Sequence, residues 1–274
     1  AEMILEIARF WAHLATYNRA KERYEIRGVM GPDEFHDGYP DAETPGLNNN
    51  TYVNVMASWV LARALEVLEN IPRDRRDELE ETLQLSEAEQ GKWHEIRTTL
   101  FIPFHADGVI SQVEGYEQLK ELDWKQYRKK YGDIHRLDRI LEAEGDSPNR
   151  YKLSKQADVL MLFYLFSAEE LRTIFHALGY ELDAQTIRAT IDYYIERTAH
   201  GSTLSGLVHS WVLARSNREA SWDLFSTALR SDVADIQGGT TKEGIHLGAM
   251  AGTIDLLQRC YPGIEFRRNV LRFN

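Results

Sequence analysis

The sequence predicts an all-α fold of paired helices, and three observations carry that expectation. Apolar residues recur at three- and four-residue spacing through most of the 274 residues, the pattern of helices with one buried stripe. The glycines, prolines and asparagines that interrupt it gather in one stretch, residues 28–52. Four polar segments, Gly31–His36, Lys155-Gln156, His200-Gly-Ser-Thr and Gly238-Gly-Thr-Thr, each stand at or before an expected helix start. Unpaired backbone N–H groups and the helix dipole favour anions at such starts. An α/α barrel, whose inner helices begin at one end, would gather these segments in one pocket.

Residues 2–23 open with Met3, Ile4, Ile7, Phe10, Trp11 and Leu14 on one helical stripe. After the long loop, Asn48 to Asn50 offer N-cap chemistry to a helix carrying Val53, Met56, Val60, Ala64 and Val67, which ends before Pro72. Residues 73–98 are charged and predict two short outer helices, the second capped by Ser86. Phe101-Ile-Pro-Phe and Val109-Ile-Ser-Gln flank His-Ala-Asp-Gly and predict a small β-hairpin near 101–113. Residues 115–150 mix charge and aromatics in short helices.

Ser154 or its neighbour is expected to cap a helix whose Val159–Phe166 run is apolar on every side, and so buried all round. A strand competes for that run, but its Leu, Met and Ala content favours a helix. Helices follow over 168–178 and 184–198, the second with Ile187, Ile191, Tyr194 and Ile195 facing in. Leu204, Leu207, Val208 and Trp211 stripe the next helix, and Trp222, Phe225 and Leu229 the one after. The last, near 242–258, has Gly244, Gly248 and Gly252 at i, i+4 spacing, which suggests close approach of a neighbouring helix or a ligand. Ile264–Phe273 reads as a short strand or extended arm. No Ser/Gly linker divides the chain, so one helical domain over 1–263 with a C-terminal arm over 264–274 is expected.

A formal net charge of −11 argues against a nucleic-acid binder or a basic membrane-surface protein. No apolar run approaches the roughly 20 residues of a spanning helix. The single cysteine, Cys260, excludes an internal disulfide and fits a reducing, cytoplasmic compartment.

The loop at 28–52 packs Asp33, Glu34, Asp37, Asp41, Glu43 and His36 among Phe35, Tyr39 and Tyr52. Its aromatics argue for an ordered loop, and long ordered loops in helical proteins carry function. Glu34 is the candidate general acid, with Asp33 and Asp37 as neighbouring like charges and Phe35 as an apolar wall. The competing readings are a solvated acidic loop and a calcium loop. The calcium match fails, because Phe35 and Thr44 occupy ligand positions. His200, Gly201, Ser202 and Thr203 could hold a phosphate or merely cap a helix, and Thr240 and Thr241 carry the same ambiguity. Lys155 could bind a sugar hydroxyl or phosphate, or lead its stem to solvent. Glu243 and His246 form one Glu-x-x-His without a second copy, which argues against a metal site. His209 reads as a satisfied core histidine.

Gly31-Pro-Asp-Glu-Phe-His36, Asn48–Asn54 with Trp59, Lys155-Gln-Ala-Asp-Val159, His200-Gly-Ser-Thr-Leu-Ser205 and Gly239-Thr-Thr-Lys-Glu-Gly-Ile-His-Leu-Gly-Ala-Met-Ala-Gly252 together resemble glycoside hydrolase family 65. That group contains maltose, trehalose and kojibiose phosphorylases and related hydrolases. The resemblance implies an (α/α)6 barrel of the glycosidase type, here incomplete because the chain starts inside it. It implies Glu34 as the acid, Lys155 and Gln156 as ligands of the transferred glucosyl unit, and His200, Gly201, Ser202 and Thr203 as the phosphate cradle, with Thr240 and Thr241 as additions. The reaction implied is inverting phosphorolysis of an α-glucosidic disaccharide to β-glucose 1-phosphate and a free sugar. No cofactor is implied beyond phosphate as co-substrate. Residues 37–47 look longer than the family's usual segment, which leaves the disaccharide open. The alternatives are an inverting hydrolase, with Glu243, Asp235 or Asp158 as base, and a non-catalytic helical binding or structural fragment. Self-association, as a homodimer, or the missing N-terminal part of the same protein would cover the exposed faces of an incomplete barrel.

Overall fold

Local capping chemistry sets most helix starts in the computed structural model, which describes residues 1–236, 239–267 and 270–273. In chain order the elements are α1 Glu2–Leu14, β1 Thr16–Asn18, β2 Arg23–Glu25, α2 Thr51–Asn70, α3 Arg73–Leu83, α4 Glu87–Thr99, α5 Trp124–Tyr131 and α6 Leu137–Ala143. They continue with α7 Asp158–Leu165, α8 Ala168–Ala177, α9 Ala184–Ile195, α10 Thr203–Leu213, α11 Arg218–Leu229, α12 Leu247–Asp255, β3 Ile264–Arg267 and β4 Val270–Phe273. The fold is all-α, as the periodicity predicts. Gly238 and, in the arm, Arg268, Asn269 and Asn274 lie outside the described residues. No described helix is long and apolar enough to cross a membrane.

The elements fall into two compact units, one of Ala1–Gly31, Asp37–Gln118 and Phe166–Ala189, the other of Pro32–His36, Leu119–Leu165 and Thr190–Asn274. In the first, α1, α2 and α4 pack on one another and α8 packs on α2. Asn50 caps α2 by accepting the Val53 N–H at 3.0 Å, and Ser86 caps α4 by accepting that of Glu89 at 3.2 Å. Both caps are the ones the sequence predicts. The expected small hairpin near 101–113 is present as an antiparallel bridge between Phe104 and Ile110, flanked by His105 N–H to the Val109 carbonyl at 2.8 Å and Ser111 N–H to the Pro103 carbonyl at 3.0 Å.

The first helix departs from expectation twice. It stops at Leu14 rather than running to 23, because Asn18 Oδ1 accepts the N–H groups of Ala20 and Lys21 and closes a turn between β1 and β2. Its buried residues are Leu5 and Ala8, whereas Met3 and Phe10 of the predicted stripe are 76% and 57% exposed.

An ionic network centred on the buried Glu25 anchors β2 to the loop. The Glu25 carboxylate, inaccessible to solvent, takes Lys21 Nζ at 2.6 Å, Arg27 Nη2 at 2.6 Å, Asn18 Nδ2 at 3.1 Å and Asn49 Nδ2 at 3.3 Å. Lys21 and Asn49 both go on to Glu114. Asn49 reaches these partners from a left-handed backbone (φ 51°), a conformation that asparagine tolerates better than most residues.

In the second unit α10 packs on α7, α11 and α12. The α10–α12 contact needs a glycine: a Cβ on Gly252 would lie 2.2 Å from Leu207 Cδ1. This is the close approach that the glycine spacing suggests, but Gly244 precedes the helix with φ 144° and takes no part in it. The run after Asp158 is a helix, yet Leu165 is 43% exposed, so it is not buried all round. Ser154 does not cap it. Its hydroxyl meets Thr198 Oγ1 at 3.2 Å instead. Residues 264–267 and 270–273 pair as an antiparallel hairpin.

Burial raises the Glu25 pKa, but hydrogen bonds from Lys21, Asn18 and Arg27 outweigh it and bring it from 4.5 down to about 2. A depressed carboxylate contributes stability above its unfolded pKa and loses it as pH falls toward the folded one. The contribution is on the order of 3 kcal/mol at neutral pH. Urea unfolding should show that Glu25→Gln is less stable than the parent at pH 7 and that this gap narrows between pH 4.5 and 3. A gap independent of pH would assign the loss to packing.

Candidate active site

The loop 32–36 is pinned by a carboxylate turned inward. Asp33 is buried; its Oδ1 accepts the N–H of Lys155 at 2.8 Å and that of Phe35 at 3.3 Å, and its Oδ2 faces His36 Nδ1 at 3.1 Å. Its own N–H donates to Asp158 Oδ1 at 2.5 Å. His36 Nε2 faces the Tyr151 carbonyl at 3.0 Å. Phe35 packs into an apolar cluster with Leu122, Ile134, Leu137, Leu153 and Ala199. With residues 33, 35 and 36 directed inward, Glu34 projects outward. It is 68% exposed, and its Oε2 accepts Lys155 Nζ at 2.8 Å. The oxygens of Asp33 are taken up by the donors of Phe35, His36 and Lys155 rather than facing Glu34.

Lys155 reaches this position through backbone pairing. Ser154 N–H donates to the Arg197 carbonyl at 2.9 Å, and Ala199 N–H returns to the Ser154 carbonyl at 2.8 Å. The two strands of chain then carry Lys155 and Gly201 side by side. A Cβ on Gly201 would lie 2.4 Å from the His135 carbonyl oxygen, 2.9 Å from Lys155 Cγ and 3.4 Å from Phe35 Cζ. Only glycine fits. Gln156 is buried beside the same loop, where Nε2 donates to the Pro32 carbonyl at 2.8 Å and Oε1 has no partner among the described residues.

The segment at 200–203 opens α10. His200 has a left-handed backbone (φ 56°), and its Nδ1 lies 2.9 Å from Ser205 Oγ. Ser202 is the N-cap, accepting the Leu204 N–H at 3.3 Å, and Thr203 is the first helical residue. Burial, then electrostatic repulsion from His135 and Arg128, pushes the His200 pKa down to about 4. His209 lies edge-on to His200 with ring centroids 4.6 Å apart. It is buried and its two ring nitrogens have no partner among the described residues, so the expectation of a satisfied core histidine is corrected. Arg136 grips Asp138 through Nε at 3.0 Å and Nη2 at 2.6 Å; that bond raises its pKa against desolvation, with Glu34 adding a smaller attraction.

Thr240 and Thr241 are held from another direction. Thr241 N–H donates to Asp235 Oδ1 at 3.3 Å and its hydroxyl to the Asp232 carbonyl at 3.4 Å. Asp232 also takes His246 Nδ1 at 2.6 Å and the His246 N–H at 2.9 Å. The Thr240 hydroxyl is buried without a partner among the described residues. Glu34, Lys155 and Gly201 are thus joined by direct contacts and Gln156 holds the Pro32 carbonyl of the same loop, whereas Thr241 bonds within its own segment.

Sequence reasoning missed Asp33 as an anchor, along with Asp158, Asp232 and Ser205. A signal existed for one of them. Ser205 and His209 stand at i, i+4 on α10, which places a hydroxyl and an imidazole on one helical face.

The sequence matches the glycosyl hydrolase family 65 central catalytic domain over residues 1–255. The chain belongs to glycoside hydrolase family 65. It is 58% identical over 267 residues to an uncharacterized glycosyl hydrolase of Mycobacterium tuberculosis, covering 97% of this chain and 20% of that protein. It is 39% identical over 270 residues to the trehalose 6-phosphate phosphorylase of Lactococcus lactis, covering 97% of this chain and 33% of the relative. With the kojibiose phosphorylase of Caldanaerobacter subterraneus it shares 32% identity over 281 residues, all of this chain and 33% of the relative. The family 65 chain thus spans a fifth to a third of the length of these curated relatives. A solved structure from the human microbiome, provisionally assigned as a kojibiose phosphorylase, superposes with a TM-score of 0.78 at 24% identity, over 100% of this chain and 34% of that one. That likeness shows the fold.

Gly201→Ala should destabilise the protein by about 1–3 kcal/mol, because backbone and a buried stem stand where the methyl must go. Chemical denaturation measures this directly. Unchanged stability would mean that the 200–203 segment has room that the contacts with His135 and Lys155 deny.

Proposed function

We propose that the protein to which this catalytic-domain chain contributes is an inverting glycoside phosphorylase acting on an α-glucosidic disaccharide. One observation carries the reading: the Glu34 carboxyl and the start of α10 meet on Lys155, whose ammonium pairs with Glu34 and whose stem packs on Gly201. The carboxyl assigned here as the acid and an anion-favouring helix start therefore share one wall. The names of the relatives agree, since two of the three curated proteins above are phosphorylases.

In this reading phosphate lies at His200, Gly201, Ser202 and Thr203, with Thr240 and Thr241 as further ligands, while Lys155 and Gln156 hold hydroxyls of the glucosyl unit. A phosphate oxygen attacks the anomeric carbon from the face opposite the leaving sugar. The C1–O bond to that sugar breaks as Glu34 delivers its proton to the departing oxygen, and a new C1–O–P bond forms with inversion. The proton that phosphate carried restores the acid. Phosphate brings its own charge and nucleophilicity, so no carboxylate base is required. The hydrolase alternative would need such a base across from Glu34 with room for a water. Asp158, one of its three candidates, is buried and accepts the Asp33 N–H, which disfavours that role.

Incubation of the complete protein with maltose, trehalose, trehalose 6-phosphate and kojibiose, with and without phosphate, tests the reading. Phosphate-dependent release of β-glucose 1-phosphate is expected, and turnover indifferent to phosphate would overturn it. Glu34→Gln keeps the shape of the acid without its proton and should lower phosphorolysis by about 10² or more. In the Ser202→Ala, Thr203→Ala double variant the KM for phosphate should rise at least roughly tenfold, and much more than that for the sugar. Equal losses would point to the broken α10 cap instead.

A further inference from the structure

We infer that Ser205 is a positioning residue that fixes the tautomer of His200, so that the ring presents an Nε2–H donor at the start of α10. The inference rests on the proposed role of that start in holding phosphate. Ser205 is fully buried one turn into the helix, and His200 Nδ1, 2.9 Å away, is the hydrogen-bond partner of its hydroxyl. A hydroxyl has one hydrogen to place. If Nδ1 carried the ring proton it would donate to Oγ, and the serine hydrogen would be left buried without an acceptor. If the serine donates to Nδ1, no buried donor is orphaned and the ring proton sits on Nε2. An unmade buried donor costs its full desolvation penalty, whereas spare lone pairs cost little, so the second arrangement wins.

The surroundings keep the ring in this one-proton state. His209 packs edge-on at 4.6 Å and gives His200 no hydrogen bond. Burial, with a lesser contribution from Arg128, opposes a second proton, so His200 is neutral near pH 7. Its contribution to an anion would therefore be one directed N–H rather than a charge. Lys155 supplies the fixed positive charge of the same wall.

The test is nitrogen NMR of selectively labelled histidine rings in the intact protein at pH 7, with the His200 signals identified by their loss in His200→Asn. The expected spectrum has an unprotonated Nδ1 and a protonated Nε2. A protonated Nδ1, alone or in an imidazolium, overturns the inference. Ser205→Ala should give a mixture of tautomers and raise the KM for phosphate about three- to tenfold with little change in that for the sugar. Ser205→Thr, which keeps the hydroxyl, should restore both. A variant that unfolds leaves the parent spectrum to decide by itself. If the parent ignores phosphate, the proposed function fails while the ring spectrum still decides the role of Ser205.

Discussion

The buried carboxylate of Asp33 is the interaction on which the site depends. A charge removed from water must be met by donors, or its desolvation is uncompensated. Here the backbone N–H groups of Phe35 and Lys155 and the ring of His36 meet it, while the Asp33 N–H is tied to Asp158. Each of those bonds fixes a different piece of chain. One holds the loop's own turn, one draws in the segment carrying Lys155, and one reaches the first residue of α7. Glu34 is exposed because its neighbours are committed inward, and its orientation is inherited from theirs.

Gly201 adds a steric constraint to this electrostatic one. The start of α10 approaches the Phe35 ring, the Lys155 stem and the His135 carbonyl closely enough that no side chain fits. Packing of this kind leaves little freedom to the backbone N–H groups that open the helix. Two devices thus converge on one wall, a saturated carboxylate under the Glu34 loop and a glycine contact beneath the helix start.

Much of this was legible in the residues. The capping serines and asparagines announced α2 and α4, because a cap is a local bond between a side chain and an N–H two or three residues on. The motif order brought Glu34, Lys155, Gln156 and His200–Thr203 forward as one set. Less legible was which side of an element would be buried. Met3 and Phe10 obey helical spacing as well as Leu5 and Ala8 do, yet only the latter pair is covered. Asp33 and Glu34 were equivalent carboxylates in the sequence, and the hydrogen bonds that tie Asp33 inward include two to residues 122 and 125 positions away.

The sequence by itself determined the all-α class, most helix starts and the family, and it brought forward Glu34, Lys155, Gln156 and His200–Thr203 as candidates, since periodicity, caps and motifs are properties of neighbouring residues. Tertiary structure alone decided that the opening helix yields to a hairpin at Thr16–Glu25, that Gly252 rather than Gly244 meets a neighbouring helix, and that Asp33 anchors while Glu34 projects. It also decided that His209 sits beside His200 without a hydrogen bond. For Gly252 and Asp33 the deciding atoms belong to chain distant in sequence, and a pattern read along one stretch of residues carries no record of which distant donor or methyl group will stand against it.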